Sequence, residues 1–424
     1  MFIIRAGQLL DGKSDKSLKD MGIVVDGKHI QSVTPFTSLV LEPNVLVLDG
    51  TRFSVIPGMV DCHVHIHSPG GSDREYNYSL DSLTQLQGTL ALRSFNHARK
   101  DLAMGFTTLR SLDSPAYVDV ALRNAIQSGL VEGPRLHVAG QGISVSGGHM
   151  DKAWWSPDVS VSGRTAVGDG PWGCRKAARD QLKRGVDVLK INACGGLLDL
   201  TEPWHQEMTY EEMAAVCAEA RGAKKRVAAH TSGGPGISDA IQAGVNSIEH
   251  GPWLTDEQLE KMVTGNVFYV PTLTTNAHGV AMGREEILSD EAEWAWLLKV
   301  DEDKWNSLER ARKIGVQVAV GTDAGFWVHH GENATELEQL VIGGYSAMQA
   351  IHSATRVGAA CLGLEKEIGT IEVGKLADLV LVDGDPLVDV RILQEERRIV
   401  SVYKEGILVA GKPPAELSFL SADK

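Results

Sequence analysis

The sequence predicts an α/β protein built on a (β/α)8 barrel of the TIM type, with a small β-sandwich domain formed from both chain termini. Two observations predict the barrel: a unit of helix, glycine and apolar strand recurs, and eight candidate strands lie between about residues 56 and 325 without a low-complexity linker. A third, short alternating runs broken by Asp-Gly and Gly at both ends, predicts the β domain. We place the β domain at residues 1–57 and 365–424, and the barrel at 58–364.

The recurring unit occurs four times, in ARKDLAMGFTTLRSL, ARDQLKRGVDVLKINA, SDAIQAGVNSIEHG and ERARKIGVQVAVGTD. A glycine just past a helix end supplies the left-handed conformation that ends the helix, and the apolar run after it is typical of a strand buried on both faces. The other candidate strands lie in FSVIPGMVDCHVHI, PRLHVAGQGISV, KRVAAHTS and NVFYVPTL. An open doubly wound sheet is less favoured, because it would more often show a Gly-rich dinucleotide turn after its first strand.

The bulk composition excludes several classes of partner. The 424 residues carry a formal net charge of -14 and a pI near 5.5, without the Lys/Arg stripe that would release phosphate counterions, so we expect no nucleic-acid partner. No run approaches about 18 uninterrupted apolar residues, so we expect no membrane span. The N-terminus MFIIRAGQLLDG lacks the features of a signal peptide, and the five cysteines are scattered without a CxxC pair, so we expect a cytoplasmic protein.

Polar side chains follow most of the predicted strands. In IPGMVDCHVHIH, the alternate positions His63, His65 and His67 share one face of a strand, where two imidazoles can converge on one metal ion. The other polar residues at strand ends are Lys190, His230, His250 and Asp323. Taken singly, these histidines are typical of satisfied core residues and Asp323 of a helix N-cap. Because the carboxyl ends of barrel strands meet at one mouth, we expect a single metal site there, with His67 in a structural role.

Lys190 lies among apolar neighbours, in VLKINACGG. A buried ammonium without a partner is costly, so this residue needs either a partner or a change of charge. Reaction of its neutral amine with carbon dioxide would give a carbamate, an anion whose two oxygens are able to bridge two cations. A snorkelling lysine is the alternative.

Taken together, these motifs resemble the amidohydrolase superfamily, in the imidazolonepropionase-related branch that holds metal-dependent dipeptidases and N-acyl amino acid hydrolases. The resemblance runs from DGKHIQSV through IPGMVDCHVHI, GFTTLRS, GLVEGPRL, SGGH, LKINACGG, SIEHG and GTDAG to GTIEVGKLADLVLVDGDP. It implies two divalent metal ions, with carbamylated Lys190 between them. The implied ligands are His63, His65, Lys190, His230, His250 and Asp323. Nitrogen and oxygen donors without a thiolate suit zinc first, with manganese, cobalt or iron as alternatives.

The activity implied is hydrolysis of a C–N amide bond, in dipeptides or N-acyl amino acids with bulky or aromatic groups. A hydroxide bridging the two metals would attack the carbonyl, and Asp323 would take its proton and pass it to the leaving nitrogen. The same site would also suit a lactone, carbamate or phosphotriester, and a non-catalytic scaffold is the alternative from another class. A deaminase is less favoured, because those relatives generally use one metal and lack the lysine.

Further residues are predicted to contact the substrate. His149, in SVSGGHMDKAWW, stands where relatives use a histidine to hold the substrate, so we assign it a catalytic role as well. The other predicted substrate contacts are Thr231, Trp154, Trp155, Trp253, Trp327, His329 and His330. Dipeptidase-like relatives often carry Tyr where this chain has Thr231, which leaves open whether a substrate carboxylate is required. Tryptophans in the mouth segments, Trp172 and Trp204 among them, suit bulky apolar groups, with loop packing as the alternative. The resemblance also implies a homo-oligomer, up to an octamer, that acts on a small molecule.

Overall fold

The computed structural model describes residues 1–41, 45–72, 80–81, 84–151, 163–196, 204–287 and 289–417. The α-helices of these ranges are Gln87–Ala103, Val118–Gln127, Gly170–Lys183, Tyr210–Gly222, Pro235–Ala243, Asp256–Gly265, Leu273–Met282, Glu291–Ile314, Thr335–Ile342, Ala347–His352 and Gly358–Leu362. Among them, none combines the length and the apolar character that crossing a membrane requires. All five cysteines are buried and free.

Strands from both ends of the chain share one seven-stranded sheet, in the order β16-β15-β14-β4-β1-β2-β3. Its members are β1 (Phe2–Leu9), β2 (Leu18–Asp26), β3 (His29–Pro35), β4 (Leu46–Pro57), β14 (Leu379–Val382), β15 (Ile399–Lys404) and β16 (Ile407–Gly411). Strand β1 pairs parallel with β4, and the other pairs are antiparallel. Apolar side chains of both ends, such as Ile4, Ile23, Leu379 and Tyr403, pack in one cluster. The domain boundaries and the sandwich stay predictions.

The remaining strands form two parallel sheets of three and six strands, and helices connect most of the successive strands. The first contains β5 (Met59–Val64), β6 (Phe106–Ser111) and β7 (Arg135–Val138). The second contains β8 (Ile143–Ser144), β9 (Ala166–Val167), β10 (Val188–Asn192), β11 (Arg226–Thr231), β12 (Ser247–His250) and β13 (Phe268–Val270). Every residue of β5, β6 and β10 is buried, as expected for parallel strands covered on both faces. The glycines predicted to end helices all have left-handed φ: Gly105, Gly185, Gly244 and Gly315.

Two of the eight candidate strands differ from the prediction. The segment PRLHVAGQGISV is not one strand but two short ones, β7 and β8, which belong to different sheets. The chain turns at Gly140, where φ is +62°, and a Cβ at Gly142 would lie 1.6 Å from Asp113 Oδ1. The eighth candidate, GVQVAVGTD, has isolated bridges instead of a continuous ladder.

The eighth candidate nevertheless contacts both parallel sheets. The amide of Tyr269 in β13 donates to the carbonyl of Gln317 over 2.9 Å, and the amide of Cys62 in β5 donates to the carbonyl of Val320 over 2.8 Å. Segment 317–320 therefore lies between β13 and β5. This places the residues that follow it beside the carboxyl end of β5.

Candidate metal centre

Three side chains that the sequence assigns to a metal meet where β5 ends. The Nε2 atoms of His63 and His65 lie 3.4 and 2.9 Å from Asp323 Oδ1, and one ligand atom from each residue lies within 4.8 Å of the others. The backbone holds this geometry, because the amide of Asp323 donates to the carbonyl of His63 over 2.8 Å. Asp323 has a φ of +60°, and a non-glycine residue in this region is a signal of a functional constraint.

Five histidine rings form a continuous row from β5 to β12 and β11. The ring centroids are 5.3 Å apart for His65 and His63, 4.9 Å for His63 and His250, and 4.6 Å for His250 and His230. His149 ends the row, stacked on His230 at 4.1 Å with an interplanar angle of 14°. The predicted ligands of the two metal positions thus lie side by side.

Lys190, from β10, is 1% exposed, and its Nζ lies 3.8 Å from Asp113 Oδ2. Burial lowers the pKa of His63 to about 4, and the charge of Lys190 is the next cause. Burial also holds the pKa values of His230 and His250 well below the usual range. These rings are therefore neutral at neutral pH, the state in which imidazole binds metal.

A buried ion pair that the sequence analysis missed supports His63. Glu249 Oε2 lies 2.9 Å from His63 Nδ1, and Glu249 Oε1 accepts from Arg110 Nη2 over 2.7 Å. Burial would raise the pKa of Glu249, but Arg110 and His63 outweigh it and bring the pKa to about 2. An ionised Glu249 orders the Nδ1–H tautomer of His63, which leaves Nε2 as the metal-binding nitrogen.

A second missed carboxylate, Asp61, joins β5 to the segment that carries Asp323. Its Oδ1 accepts from the amides of His63 and Thr322 at 3.0 and 3.2 Å. Its Oδ2 accepts from Thr322 Oγ1 at 2.6 Å and from Asn333 Nδ2 at 2.9 Å. The sequence signal for this residue is an acidic side chain inside the apolar run MVDCHV, because a buried carboxylate requires donors.

The predicted substrate contacts of the strand-end loops lie in different surroundings. The amide of His149 donates to Glu207 Oε2 over 2.8 Å, and its ring faces His230. Thr231 is buried, and its Oγ1 donates to the carbonyl of Glu249 over 3.1 Å. Trp154 and Trp155 lie outside the described residues.

The residues that follow Asp323 also lie in different surroundings. Trp327 is 1% exposed and packs in an apolar cluster with Ile287 and Leu297. His330 is buried with its Nδ1 2.8 Å from Asp101 Oδ2, whereas His329 is exposed. The substrate-binding roles of these residues stay predictions.

Three tryptophans form a cluster beside the loop that follows His230. The ring centroids of Trp204 are 5.7 Å from Trp253 and 4.6 Å from Trp296, and the rings meet edge to face. The amide of Trp253 donates to the carbonyl of Ser232, two residues after His230. The sequence analysis missed Trp296, because it belongs to the helix Glu291–Ile314 and not to a loop after a strand.

The side chains present fit a metal ion. The donors are imidazole nitrogens and a carboxylate oxygen, a set that suits zinc and related divalent ions. His63 Nε2 is buried and makes no hydrogen bond to any part of the chain that the structure describes. A buried lone pair without a donor is costly in a protein interior, and a cation would satisfy it.

Comparison with known proteins assigns the chain to a family. The amidohydrolase family model matches residues 54–409, so the chain belongs to the amidohydrolase family, and it is a hydrolase acting on carbon–nitrogen bonds. The ochratoxinase of Aspergillus niger is 29% identical over 96% of this chain and 86% of its own length. The imidazolonepropionase of Streptomyces griseus is 24% identical over 92% of each chain. The crystal structure of a Xaa-Pro dipeptidase with methionine in its active site matches with a TM-score of 0.88 and 32% identity, over 96% of this chain and 99% of that one.

Proposed function

We propose that this protein is a binuclear metal-dependent amidohydrolase that cleaves the amide bond of dipeptides or N-acyl amino acids carrying a bulky or aromatic group. The observation that carries the proposal is the continuous row of histidine rings that ends at Asp323. The similarity to ochratoxinase and to the Xaa-Pro dipeptidase supports an amide as the substrate. We further propose that the two parallel sheets close into the predicted eight-stranded barrel through segment 317–320.

The predicted ligands divide between two positions. His63, His65 and Asp323 would hold one ion, and His230 and His250 the other, with carbamylated Lys190 shared by both. When bound, the ions polarise the carbonyl and make a water molecule acidic enough to attack at neutral pH.

The charge of Lys190 decides how well the centre attracts cations. As an ammonium, Lys190 together with Arg110 offsets two of the three carboxylate charges of Asp113, Glu249 and Asp323. Conversion of this ammonium to a carbamate lowers the local charge by two units. Two divalent ions are better balanced by the second state, which supports carbamylation.

Asp323 is the candidate proton carrier. Burial would raise the pKa of Asp323, but His63 and His65 outweigh it and hold the pKa well below its usual range. The carboxylate is therefore ionised at neutral pH and able to accept a proton from the attacking water. It would then pass that proton to the leaving nitrogen, which departs as a neutral amine.

The tryptophan cluster supports a bulky or aromatic group on the substrate. Trp204 is 39% exposed, and Trp253 and Trp296 are half-buried, so the cluster presents aromatic surface beside the loop that follows β11. Trp253 Nε1 donates to Asp303 Oδ2, which fixes the orientation of that indole. Aromatic side chains prefer the edge or face of another ring over aliphatic groups of the same size.

A substrate panel with metal analysis tests the proposal. Protein expressed with zinc and bicarbonate is expected to contain about two equivalents of metal per chain. It should hydrolyse N-acyl-phenylalanine and phenylalanine dipeptides faster than the matched alanine compounds. A protein that holds two ions yet turns over only a lactone or a phosphotriester would contradict the amide proposal. A protein that contains no metal and shows no turnover would favour the non-catalytic scaffold.

A further inference from the structure

Strand β12 ends at the predicted ligand His250, whereas its neighbour β13 carries no predicted ligand at its end. A strained residue nevertheless lies just beyond β13. Thr272, two residues beyond β13, is fully buried with φ 49° and ψ 52°. A β-branched residue is an outlier in this left-handed region, and such outliers persist only where the surroundings impose them. The conformation places Thr272 Oγ1 2.8 Å from Nδ1 of His250.

A buried lysine imposes this conformation. Lys304, from the helix Glu291–Ile314, is 2% exposed, and its Nζ donates to the carbonyl of Thr272 over 2.9 Å and to Thr272 Oγ1 over 3.1 Å. It also donates to Asn276 Oδ1. An ammonium has three protons, so its full donor capacity is used by neutral acceptors at the end of β13. Burying a charge in this way is unfavourable, which indicates a role beyond packing.

A buried carboxylate holds the same turn from another helix. Glu336, from the helix Thr335–Ile342, accepts from the amides of Leu273 and Thr274 at 2.9 and 2.8 Å. It also accepts from Thr274 Oγ1 at 2.6 Å. Buried side chains from two helices therefore hold residues 272–274, and with them the hydroxyl that faces His250.

Lys304 fixes the position of the hydroxyl that faces His250, and the direction of the hydrogen bond between hydroxyl and ring sets the tautomer of His250. A hydroxyl oxygen has two acceptor lone pairs, and Lys304 occupies one of them. The second is available to an Nδ1–H of His250, and in that tautomer Nε2 keeps its lone pair for a metal ion. If Thr272 rotated and donated its own proton to Nδ1, the ring proton would lie on Nε2 and exclude a metal there.

We propose that Lys304 and Thr272 are positioning residues that hold the ring of His250 with Nε2 free to bind metal. The proposal rests on the proposed function in one respect, namely that His250 is a ligand of the metal centre. It concerns the chain's own residues, so the ring proton of His250 can be measured without metal or substrate.

Metal affinity tests the proposal in four variants. Thr272→Val keeps the shape of the side chain and removes the hydroxyl, and Thr272→Ser keeps the hydroxyl. Lys304→Met removes the ammonium, and Lys313→Met, an exposed position on the same helix that pairs with Glu309, is its control. Competition with a zinc chelator is expected to show affinity for one of the two ions lowered about 10- to 100-fold in Thr272→Val and Lys304→Met. Thr272→Ser and Lys313→Met should stay within about 3-fold of the wild type.

If Thr272→Val bound each of the two ions as tightly as the wild type does, the proposal would be overturned. That isosteric variant carries the test if Lys304→Met fails to fold. Near-ultraviolet circular dichroism of each variant checks the fold.

The ring proton itself gives a second readout. Metal-free protein labelled with nitrogen-15 in histidine is expected to show His250 as the Nδ1–H tautomer, and the His250→Gln spectrum assigns the signal. Thr272→Val should move that proton toward Nε2 or leave a mixture. A wild-type protein with the proton on Nε2 would overturn the inference, whereas a wild type that binds no metal but keeps the Nδ1–H tautomer would contradict only the proposed function.

Discussion

Replacement of Glu249 by glutamine is expected to damage both the stability and the metal affinity of this protein. Glu249 is fully buried and contacts Arg110 through Oε1 and His63 through Oε2. Glutamine has the same shape but offers one oxygen and one NH2 group. If its oxygen faces Arg110, its NH2 faces His63 Nδ1 and forces the ring proton onto Nε2, the metal-binding nitrogen. If it turns the other way, two donors meet at Arg110.

The size of the effect follows from the burial of the pair. Arg110 is 1% exposed, so without Glu249 a guanidinium stays buried beside neutral acceptors. Removing one partner of a buried ion pair costs about 3–5 kcal/mol of the free energy of unfolding. Loss of a residue that orients a metal ligand lowers metal affinity about 10- to 100-fold, or about 1.4–2.7 kcal/mol.

Urea unfolding of the metal-free protein and chelator competition measure the two effects separately. The exposed Glu257, paired with Lys261, gives the matched control, and Glu257→Gln should change the free energy of unfolding by less than about 1 kcal/mol. In Arg110→Met/Glu249→Leu both charges are absent, so much of the stability should return. The metal affinity should not return, because His63 Nδ1 still lacks its acceptor. A Glu249→Gln variant with wild-type stability and zinc affinity would refute the reasoning.

Three further outcomes are expected. Asp323→Asn should keep most of its metal and lose turnover by orders of magnitude in assays at saturating substrate, and unchanged turnover would remove Asp323 from the proton-transfer role. Trp296→Leu should lower kcat/KM for N-acyl-phenylalanine up to about 10-fold while leaving N-acyl-alanine within about 2-fold, and Trp172→Leu, 81% exposed, should change neither. Acidification should weaken the metal-free fold, because burial lowers the pKa of His63 from 6.5 to about 4 and the unfolded chain binds that proton more tightly. The free energy of unfolding should therefore fall as pH drops from about 6.5 through about 4, less steeply in His63→Gln, and equal slopes in urea unfolding would contradict this.

The recurring units of the fold were predictable from sequence because their signals are local. A glycine after a helical pattern reports a left-handed helix end, and φ is between +82° and +99° at the predicted positions Gly105, Gly185, Gly244 and Gly315. The split of the third candidate strand was not predictable in this way. At the split, Asp113 approaches Gly142 too closely for a side chain there, a contact between residues distant in sequence.

In the candidate site, too, the features set by local sequence were predictable and those set by distant contacts were not. The spacing of His63 and His65 is enough to place both side chains on one face of a strand, whereas the partners that orient them come from distant segments. Glu249 and Arg110 are 139 residues apart in sequence, and Glu249 and His63 are 186 apart. A single sequence does not indicate which strands become neighbours across a sheet, so it cannot pair these charges.

One sequence signal nevertheless marks each orienting residue. Arg110, Glu249 and Asp61 are each the one Asp, Glu, Lys or Arg residue of their strand, in FTTLRS, SIEH and MVDCHV, and these three parallel strands are almost entirely buried. A strand covered on both faces tolerates a charge only where a partner or an ion compensates it. The charges in these strands lie beside the predicted ligands because the interior at the carboxyl ends of parallel strands is where opposite charges from several strands can meet. Lone charges inside buried parallel strands are therefore the positions at which to look for the residues that orient a metal centre.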